Sequence, residues 1–178
     1  QRIVEEKDAT PSERCLSEIN TGILAVSTAK LRNWVAGLTD ENAQGEYYLT
    51  DIIALAVRDD VPVEPFTVTE PLEVQGVNDR RQLALLERSY QARLAETLMR
   101  HGATLLDPAR LDVRGSLSTG QDVVIDVNVV FEGTVRLGDR VKIGPFCVLK
   151  DAVIGDDVEI LSHCRIEGAE IGAGAHIG

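Results

Sequence analysis

Leu137-Gly138-Asp139-Arg140-Val141-Lys142-Ile143-Gly144-Pro145-Phe146-Cys147-Val148-Leu149-Lys150-Asp151-Ala152-Val153-Ile154-Gly155 closes on the kind of aliphatic-glycine pair with which it opens. Ile171-Gly172 repeats the pair, so that successive pairs stand seventeen residues apart. Within this frame the aliphatic positions Leu137, Ile143, Leu149, Ile154, Ile160, Ile166, Ile171 and Ile177 advance in steps of six, six and five. Phe131 and Ile125 extend the run upstream by two further steps of six. Neither a 3.6-residue helix nor an alternating strand has that period. A chain that turns a corner every five or six residues does. Three short flat strands then make one triangular coil, and each coil stacks its aliphatic residues on the coil before it. This is the pattern of a hexapeptide β-helix.

Outward from that repeat the texture changes. Gln82 to Arg100 reads as a helix, with Leu83, Leu86, Tyr90, Leu94 and Leu98 at spacings of three and four and Gly102 as a C-terminal stop. Asp107-Pro108-Ala109-Arg110 opens the solenoid. Further upstream, Gly22 to Val26 reads as a buried strand. Thr28 to Leu38 reads as a helix, with Leu31, Trp34, Val35 and Leu38 on one face and Ser27 or Thr28 as its N-cap. Tyr48 to Val57 is a second helical stretch with Thr50 or Asp51 near its start, and Val61 to Val68 is extended, its prolines indicating an edge. Strand alternating with helix implies an α/β sheet, and eighty residues are few for a complete one. The chain begins at Gln1 without a methionine and ends at Ile177-Gly178, on the first residues of a new step. Solenoids finish on an atypical capping coil, and none is visible. The expectation is an internal piece of a longer protein.

The 178 residues carry 18 Lys and Arg against 29 Asp and Glu, a formal charge of −11. An acidic chain lacks the clustered cations of a nucleic-acid surface. The basic run Arg80, Arg81, Arg88, Arg93 and Arg100 is interrupted by Glu87 and Glu96, as on a solvated helix face. No apolar run approaches the roughly 20 residues of a membrane span, and no signal peptide is visible. Three cysteines outside any C-x-x-C motif read as reduced cytoplasmic thiols. Cys147 and Cys164, seventeen residues apart, take the same place on successive coils. Strand spacing of about 4.8 Å leaves both a stack of small core side chains and an oxidative cross-link open.

Four segments occur in order: Glu5-Glu6-Lys7-Asp8-Ala9, Glu18-Ile19-Asn20-Thr21-Gly22, Asn42 to Asp51, and Gln75-Gly76-Val77-Asn78-Asp79-Arg80. With the connecting helix, the Asp-Pro-Ala-Arg motif and the coils, they resemble the bifunctional N-acetylglucosamine-1-phosphate uridylyltransferase / glucosamine-1-phosphate acetyltransferase family, across essentially the whole chain. The fold class this implies is α/β, a partial Rossmann-like nucleotidyltransferase domain over residues 1–80, joined by a linker helix over 81–101 to the first coils of a left-handed parallel β-helix over 102–178. The implied chemistry is acetyl-CoA-dependent acetylation of glucosamine 1-phosphate, followed by Mg²⁺-dependent transfer of the uridylyl group of UTP to N-acetylglucosamine 1-phosphate. The product, UDP-N-acetylglucosamine, feeds peptidoglycan and lipopolysaccharide synthesis. The family implies a cytoplasmic homotrimer held by the β-helix.

By the same resemblance, Asn78 supplies a Mg²⁺ ligand through its amide oxygen, and the partner Asp falls before Gln1. Glu5 and Asn20 match residues that hold sugar hydroxyls, which need both acceptors and donors; Tyr48 and Thr50 match further residues around the sugar. Read without the resemblance, Glu5 is equally an exposed acid before a loop, and Asn20 and Asn78 are equally turn residues. The glycine-rich loop that cradles the triphosphate in this family has no counterpart near Gln1, and Gly172-Ala173-Gly174 is a solenoid corner. The 178 residues alone are therefore expected not to bind UTP productively. No residue of the chain matches the family's acetyltransferase base: His163 and His176 fall at other positions, and His101 ends the connecting helix, where a cation suits the helix dipole. Two other classes stay open, a related sugar-1-phosphate nucleotidylyltransferase with a non-catalytic β-helix tail and a structural, trimer-forming solenoid. Glu18 to Gly22 taken together with Asn42 to Tyr48 favours the bifunctional family over the related nucleotidylyltransferase, while a trimer-forming role is compatible with it.

Overall fold

The computed structural model describes residues 2–178. The chain divides into two compact units, Gln1–Gly76 and Val77–Gly178.

The second unit is a parallel β-solenoid preceded by a helix. Its strands are β1 (Thr104–Leu105), β2 (Leu111–Thr119), β3 (Val124–Ile125), β4 (Val129–Leu137) and β5 (Lys142–Ile143). They continue as β6 (Val148–Ile154), β7 (Glu159–Ile160), β8 (Arg165–Glu167), β9 (Glu170–Ile171) and β10 (His176–Ile177). Every pairing is parallel. One sheet runs β1-β3-β5-β7-β10, and the other runs β2-β4-β6-β8 with β9 also on β6. The long strands β2, β4 and β6 run past a corner, so each serves two faces of a three-sided coil. Lys142 lies opposite Glu159, and Glu159 opposite His176, a repeat of seventeen. The earlier coil is one residue longer, with Val124 opposite Lys142. The extra residue is absorbed at an irregularity between Glu132 and Val135. In the sequence, the step of six from Phe131 to Leu137 faces the step of five from Leu149 to Ile154 at the same place.

In-register stacking puts like on like inside the coil. Ile125, Ile143 and Ile160 form one buried column; Phe131, Leu149 and Ile166 a second; Leu137 and Ile154 a third, continued by Ile171. Apolar surface leaves water at every step of each column, and this burial is the main stabilising term of the unit. Corners demand left-handed backbone. Asp122, Arg140, Asp157 and Gly174 stack at one corner with φ between 56° and 72°. Asn128, Phe146 and His163 do so at another. Non-glycine residues enter that region at a cost of roughly 1–2 kcal/mol each, which the columns on either side offset. Glycine is required for a different reason at Gly138, where an added Cβ would lie 2.3 Å from Asp156 Oδ1. That oxygen accepts the Asp139 N–H at 2.9 Å. Gly120 leaves the same space for Asp139, which accepts the Gln121 N–H at 2.8 Å. The aliphatic-Gly-Asp unit is thus a joint between coils.

Helix α3 of this unit spans Arg80–Arg100 and is numbered after the two helices of the first unit, α1 (Thr28–Val35) and α2 (Ile52–Arg58). Asp79 caps α3 by accepting the Gln82 N–H at 2.7 Å, and Gly102, with φ of 100°, ends it. The buried face takes only the C-terminal part of the leucine stripe, Leu98 with Leu94 packed beside it. Gln91, Ala95 and Leu98 are buried, whereas Leu83 and Tyr90 are more than half exposed. Ala95 permits close approach to the solenoid, and Gln91 uses that approach. Its Oε1 accepts the Val113 N–H and its Nε2 donates to the Val113 carbonyl, both at 2.9 Å. One side chain thereby pairs an edge position of β2 as a neighbouring strand would.

The first unit is built around Trp34, Ile52 and Ala56, with Leu24, Leu31, Leu38, Val61 and Val63 packed against them. Trp34 Nε1 donates to Asp59 at 2.8 Å, and this bond holds the Asp59 carboxyl below its ordinary range. Helix α1 ends at Val35, short of the predicted Leu38, and Val35 is exposed. Ser27 stands at the N-cap position without a capping side-chain bond. The strand predicted at Gly22–Val26 does not form: Ile23 is exposed and only Leu24 packs inward. Val61–Val68 likewise forms no strand. A strand needs a neighbour for its N–H and C=O groups, and among the described residues of this unit neither segment has one. The α/β sheet expected for residues 1–80 is therefore not formed in the structure.

Two outcomes follow from the second unit. Gln91→Ala leaves the Val113 N–H and carbonyl without partners at about 1–3 kcal/mol each, so urea denaturation of the solenoid is expected to show a loss of about 2–6 kcal/mol; a change within about 0.5 kcal/mol would mean water replaces the amide. All three cysteines are free thiols, with Cys15 exposed and Cys147 buried. Burial pushes the Cys147 thiol pKa up, and only the thiolate reacts. With a chromogenic disulfide reagent, Cys15 is expected to label in the native protein and Cys147 only after unfolding; equal rates would disprove the buried column at Cys147.

Candidate functional site

Five residues are candidates from the sequence, and the structure gathers three of them. A turn at residues 5–8, closed by the Asp8 N–H on the Glu5 carbonyl at 3.0 Å, carries Glu5, which is half-buried. The second segment is the loop from Asn42 to Thr50. Asn42 shapes it from within: its Oδ1 accepts the Gln44 and Glu46 N–H groups at 3.1 and 3.3 Å, and its Nδ2 donates to the Glu46 carbonyl at 2.5 Å. Gly45, with φ of 64°, supplies the left-handed step that this turn needs. The chain then enters a short 3-10 turn over Leu49–Asp51 that leads into α2. Thr50 Oγ1 reaches Glu5 Oε1 at 3.5 Å.

Tyr48 sits beside them in a chain of side-chain hydrogen bonds. Its hydroxyl donates to Asp8 Oδ2 at 3.3 Å and accepts from Gln44 Nε2 at 2.8 Å. Gln44 Oε1 accepts from Lys7 Nζ at 2.6 Å, and Asp8 Oδ1 accepts the Ala43 N–H at 2.8 Å. Partial desolvation, with the Asp8 carboxylate adding to it, pushes the Tyr48 hydroxyl above its ordinary pKa despite the Gln44 bond. The cluster offers a carboxylate, a phenol and a secondary hydroxyl on adjacent segments, a donor and acceptor set suited to a polyhydroxylated ligand. Lys7, Asp8 and Gln44 lie inside segments that the sequence marks, but nothing in their spacing shows that they meet.

Asn20 is exposed on an irregular stretch just before Gly22, which has φ of 78°. It shares no hydrogen bond with the Glu5 group. Asn78 belongs to the second unit. It is exposed, its backbone N–H donates to Gln82 Oε1 at 2.7 Å, and its side-chain amide is unpartnered among the described residues. A free amide oxygen is a hard donor of the kind Mg²⁺ accepts. Among the described residues no group of three or more His, Cys, Asp or Glu gathers as a metal cluster. The solenoid histidines have structural partners: His163 stacks on Phe146 at 5.1 Å between ring centroids, and His176 Nδ1 lies 3.2 Å from Glu159. No helix among the described residues is long and apolar enough to cross a membrane.

Comparison with known proteins agrees with the coils and extends over the rest of the chain. Residues 118–151 match the family model described as bacterial transferase hexapeptide (six repeats). The chain is 58% identical over 178 residues to the bifunctional protein GlmU of Methylococcus capsulatus, covering 99% of the chain and 39% of that protein. Against the bifunctional protein GlmU of Marinobacter nauticus the identity is 57%, with 100% of the chain and 39% of the relative covered. Against that of Bordetella parapertussis it is 52% over 177 residues, again 39% of the relative. The chain thus spans about two-fifths of the length of these relatives. At 52–58% identity over 99–100% of its length, with hexapeptide repeats in the coils, the chain is similar from end to end to a segment of the bifunctional protein GlmU.

Proposed function

We propose that this chain is the middle of a bifunctional enzyme of UDP-N-acetylglucosamine synthesis, with residues 1–80 from a Rossmann-like uridylyltransferase domain, 81–101 the linker helix and 102–178 the first coils of a left-handed acetyltransferase β-helix. The match to GlmU relatives along the whole chain carries this reading. In the first reaction acetyl-CoA donates its acetyl group to the amine of glucosamine 1-phosphate; no residue of this chain is given a part in that step. In the second, a phosphate oxygen of N-acetylglucosamine 1-phosphate attacks the α-phosphorus of UTP. The new P–O bond forms as the bond to the bridging oxygen breaks, and the electron pair leaves with pyrophosphate. The nucleophile is already an anion, so the protein's task is placement and charge neutralisation. Mg²⁺, when bound, shields the phosphate anions that must approach one another.

Glu5 accepts hydrogen bonds from sugar hydroxyls, and Asn20 both accepts and donates. Tyr48 and Thr50 border the same sugar, which their convergence with Glu5 supports. Asn78 offers its unpartnered amide oxygen as one metal ligand. The enzyme acts in the cytoplasm as a homotrimer formed through the β-helices, a role that a solenoid with exposed outer faces suits.

Two measurements test the reading on the full-length enzyme that carries this segment. In isothermal titration with UDP-N-acetylglucosamine, Asn78→Ala is expected to remove the Mg²⁺-dependent part of binding while circular dichroism stays unchanged; equal binding by both proteins would make Asn78 a turn residue only. Glu5→Gln is expected to raise KM for N-acetylglucosamine 1-phosphate about tenfold, which corresponds to about 1.4 kcal/mol. If Glu5→Gln leaves that KM where it was, a different nucleotide sugar or a structural role becomes the better account.

A further inference from the structure

The Lys7, Asp8, Gln44 and Tyr48 bonds have a direction. An ammonium only donates and a carboxylate only accepts. Lys7 therefore fixes Gln44 with its carbonyl oxygen toward the ammonium. The amide nitrogen must then face Tyr48, and it donates to the phenol oxygen. With a donor arriving from Gln44 and the Asp8 carboxylate on its other side, the phenol proton goes to Asp8. The donor and the acceptor that end this chain are neighbours in sequence, so the ring closes through one peptide unit. Asp8 also holds the Ala43 N–H, which ties the turn carrying Glu5 to the loop carrying Tyr48 and Thr50.

We propose that Asp8 is a positioning residue for the sugar site: with Lys7 and Gln44 it clamps the two segments together and commits the Tyr48 hydroxyl to meet the sugar as an acceptor. The phenol proton is spent on Asp8 and one lone pair on Gln44, so what Tyr48 has left is acceptor capacity. The ligand group beside it must therefore be a donor, a neutral hydroxyl or amide N–H rather than a phosphate oxygen. This rests on the assignment of Glu5 and Tyr48 to the sugar site. It differs from that assignment in giving Asp8 no contact with substrate.

Asp8→Asn is the informative change, because the amide keeps an oxygen for the Ala43 N–H while replacing the acceptor that faces Tyr48 with a donor. Steady-state uridylyl transfer by the full-length enzyme is expected to show KM for N-acetylglucosamine 1-phosphate raised about tenfold, equivalent to about 1.4 kcal/mol, with KM for UTP unchanged. In a Tyr48→Phe background the same substitution is expected to add less than about twofold, because residues acting through one another are not additive. Gln44→Met, which removes the other partner of the phenol without touching Asp8, should raise the same KM and provides the reading if Asp8→Asn does not fold. Ultraviolet titration without substrate, with Tyr48→Phe identifying the signal, should show Tyr48 ionising at lower pH in Asp8→Asn than in the unmodified protein. If Glu5→Gln raises KM for the sugar phosphate and Asp8→Asn does not, the clamp is wrong and the sugar-site assignment stands. If neither variant changes it, the assignment falls and the clamp's role falls with it. An Asp8→Asn effect of undiminished size in the Tyr48→Phe background, or an equal rise in KM for UTP, would show that Asp8 only supports the fold.

Discussion

Every coil of the solenoid must lie in register on the coil before it, and the rest of the second unit follows from that constraint. Parallel strands about 4.8 Å apart leave no freedom for a side chain to avoid its counterpart one turn away. A residue type that packs well once must pack well on itself, or on a close substitute. Aliphatic side chains satisfy this inside. Outside, charges satisfy it by alternating in sign, as in Arg114 with Glu132 and Lys150 with Glu167, and Arg140 grips Asp157 with two bonds of 2.6 and 2.8 Å. Those exposed pairs contribute little individually, but like charges in the same places would repel at every turn.

Stacking also determines what the corners cost. The backbone reverses direction in one or two residues, so one residue at each corner takes positive φ whether or not it is glycine. Asp151 and Asp157 use the position to bond the neighbouring coil, accepting from the Thr134 N–H and from Arg140. Phe146 and His163 have no such bonds and instead stack their rings in a nearly parallel arrangement, with 16° between the planes. Strain at a corner is thus offset by the neighbouring coil rather than by the residue itself. A solenoid of this kind is therefore stable only as a stack, its energy a sum of interfaces between repeats. The helix α3 fits this logic, because Gln91 gives the edge of β2 the two hydrogen bonds that a further coil would provide.

The legible parts of the sequence were those in which one physical rule acts alone. The ladder of six, six and five showed the coils, because no other structure has that period; the register irregularity between Glu132 and Val135 was seen only in the structure. The existence of α3 was legible from its leucines and Gly102; its Asp79 cap was not singled out. Its buried face was legible only in part: Leu94 and Leu98 lie on it, but so does Gln91, whose value lies in two backbone groups twenty-two residues away and leaves no apolar pattern. The Gly22–Val26 segment misled in the opposite way. β-propensity describes how a residue fits a paired, half-buried surface, and without a neighbouring strand the same residues form an irregular stretch of which only Leu24 packs inward. At the candidate site, the family resemblance pointed to Glu5, Tyr48 and Thr50, and the structure sets them on adjacent segments. Lys7, Asp8 and Gln44 were not singled out, since a bond between residues some forty positions apart leaves no periodic trace.

The two units therefore protect their geometry by different means, and the difference bears on function. In the solenoid each side chain is held by many equivalent neighbours, and a single polar change on the outside alters little. The group around Glu5 has no such redundancy. It lies on two loop segments, and a handful of side-chain hydrogen bonds set its donor and acceptor pattern. Loops are where specificity is usually written, because their backbone groups are not committed to a ladder. The cost is that orientation must be enforced by polarity. The ring of Lys7, Gln44, Tyr48 and Asp8 does this by placing a group that can only donate at one end and one that can only accept at the other, so that the amide and the phenol between them each have a single satisfied orientation. A site that must tell one hydroxylated ligand from another gains more from that directionality than from any additional apolar contact, since an unpaired polar group in the wrong ligand is costly whereas a lost methylene is cheap.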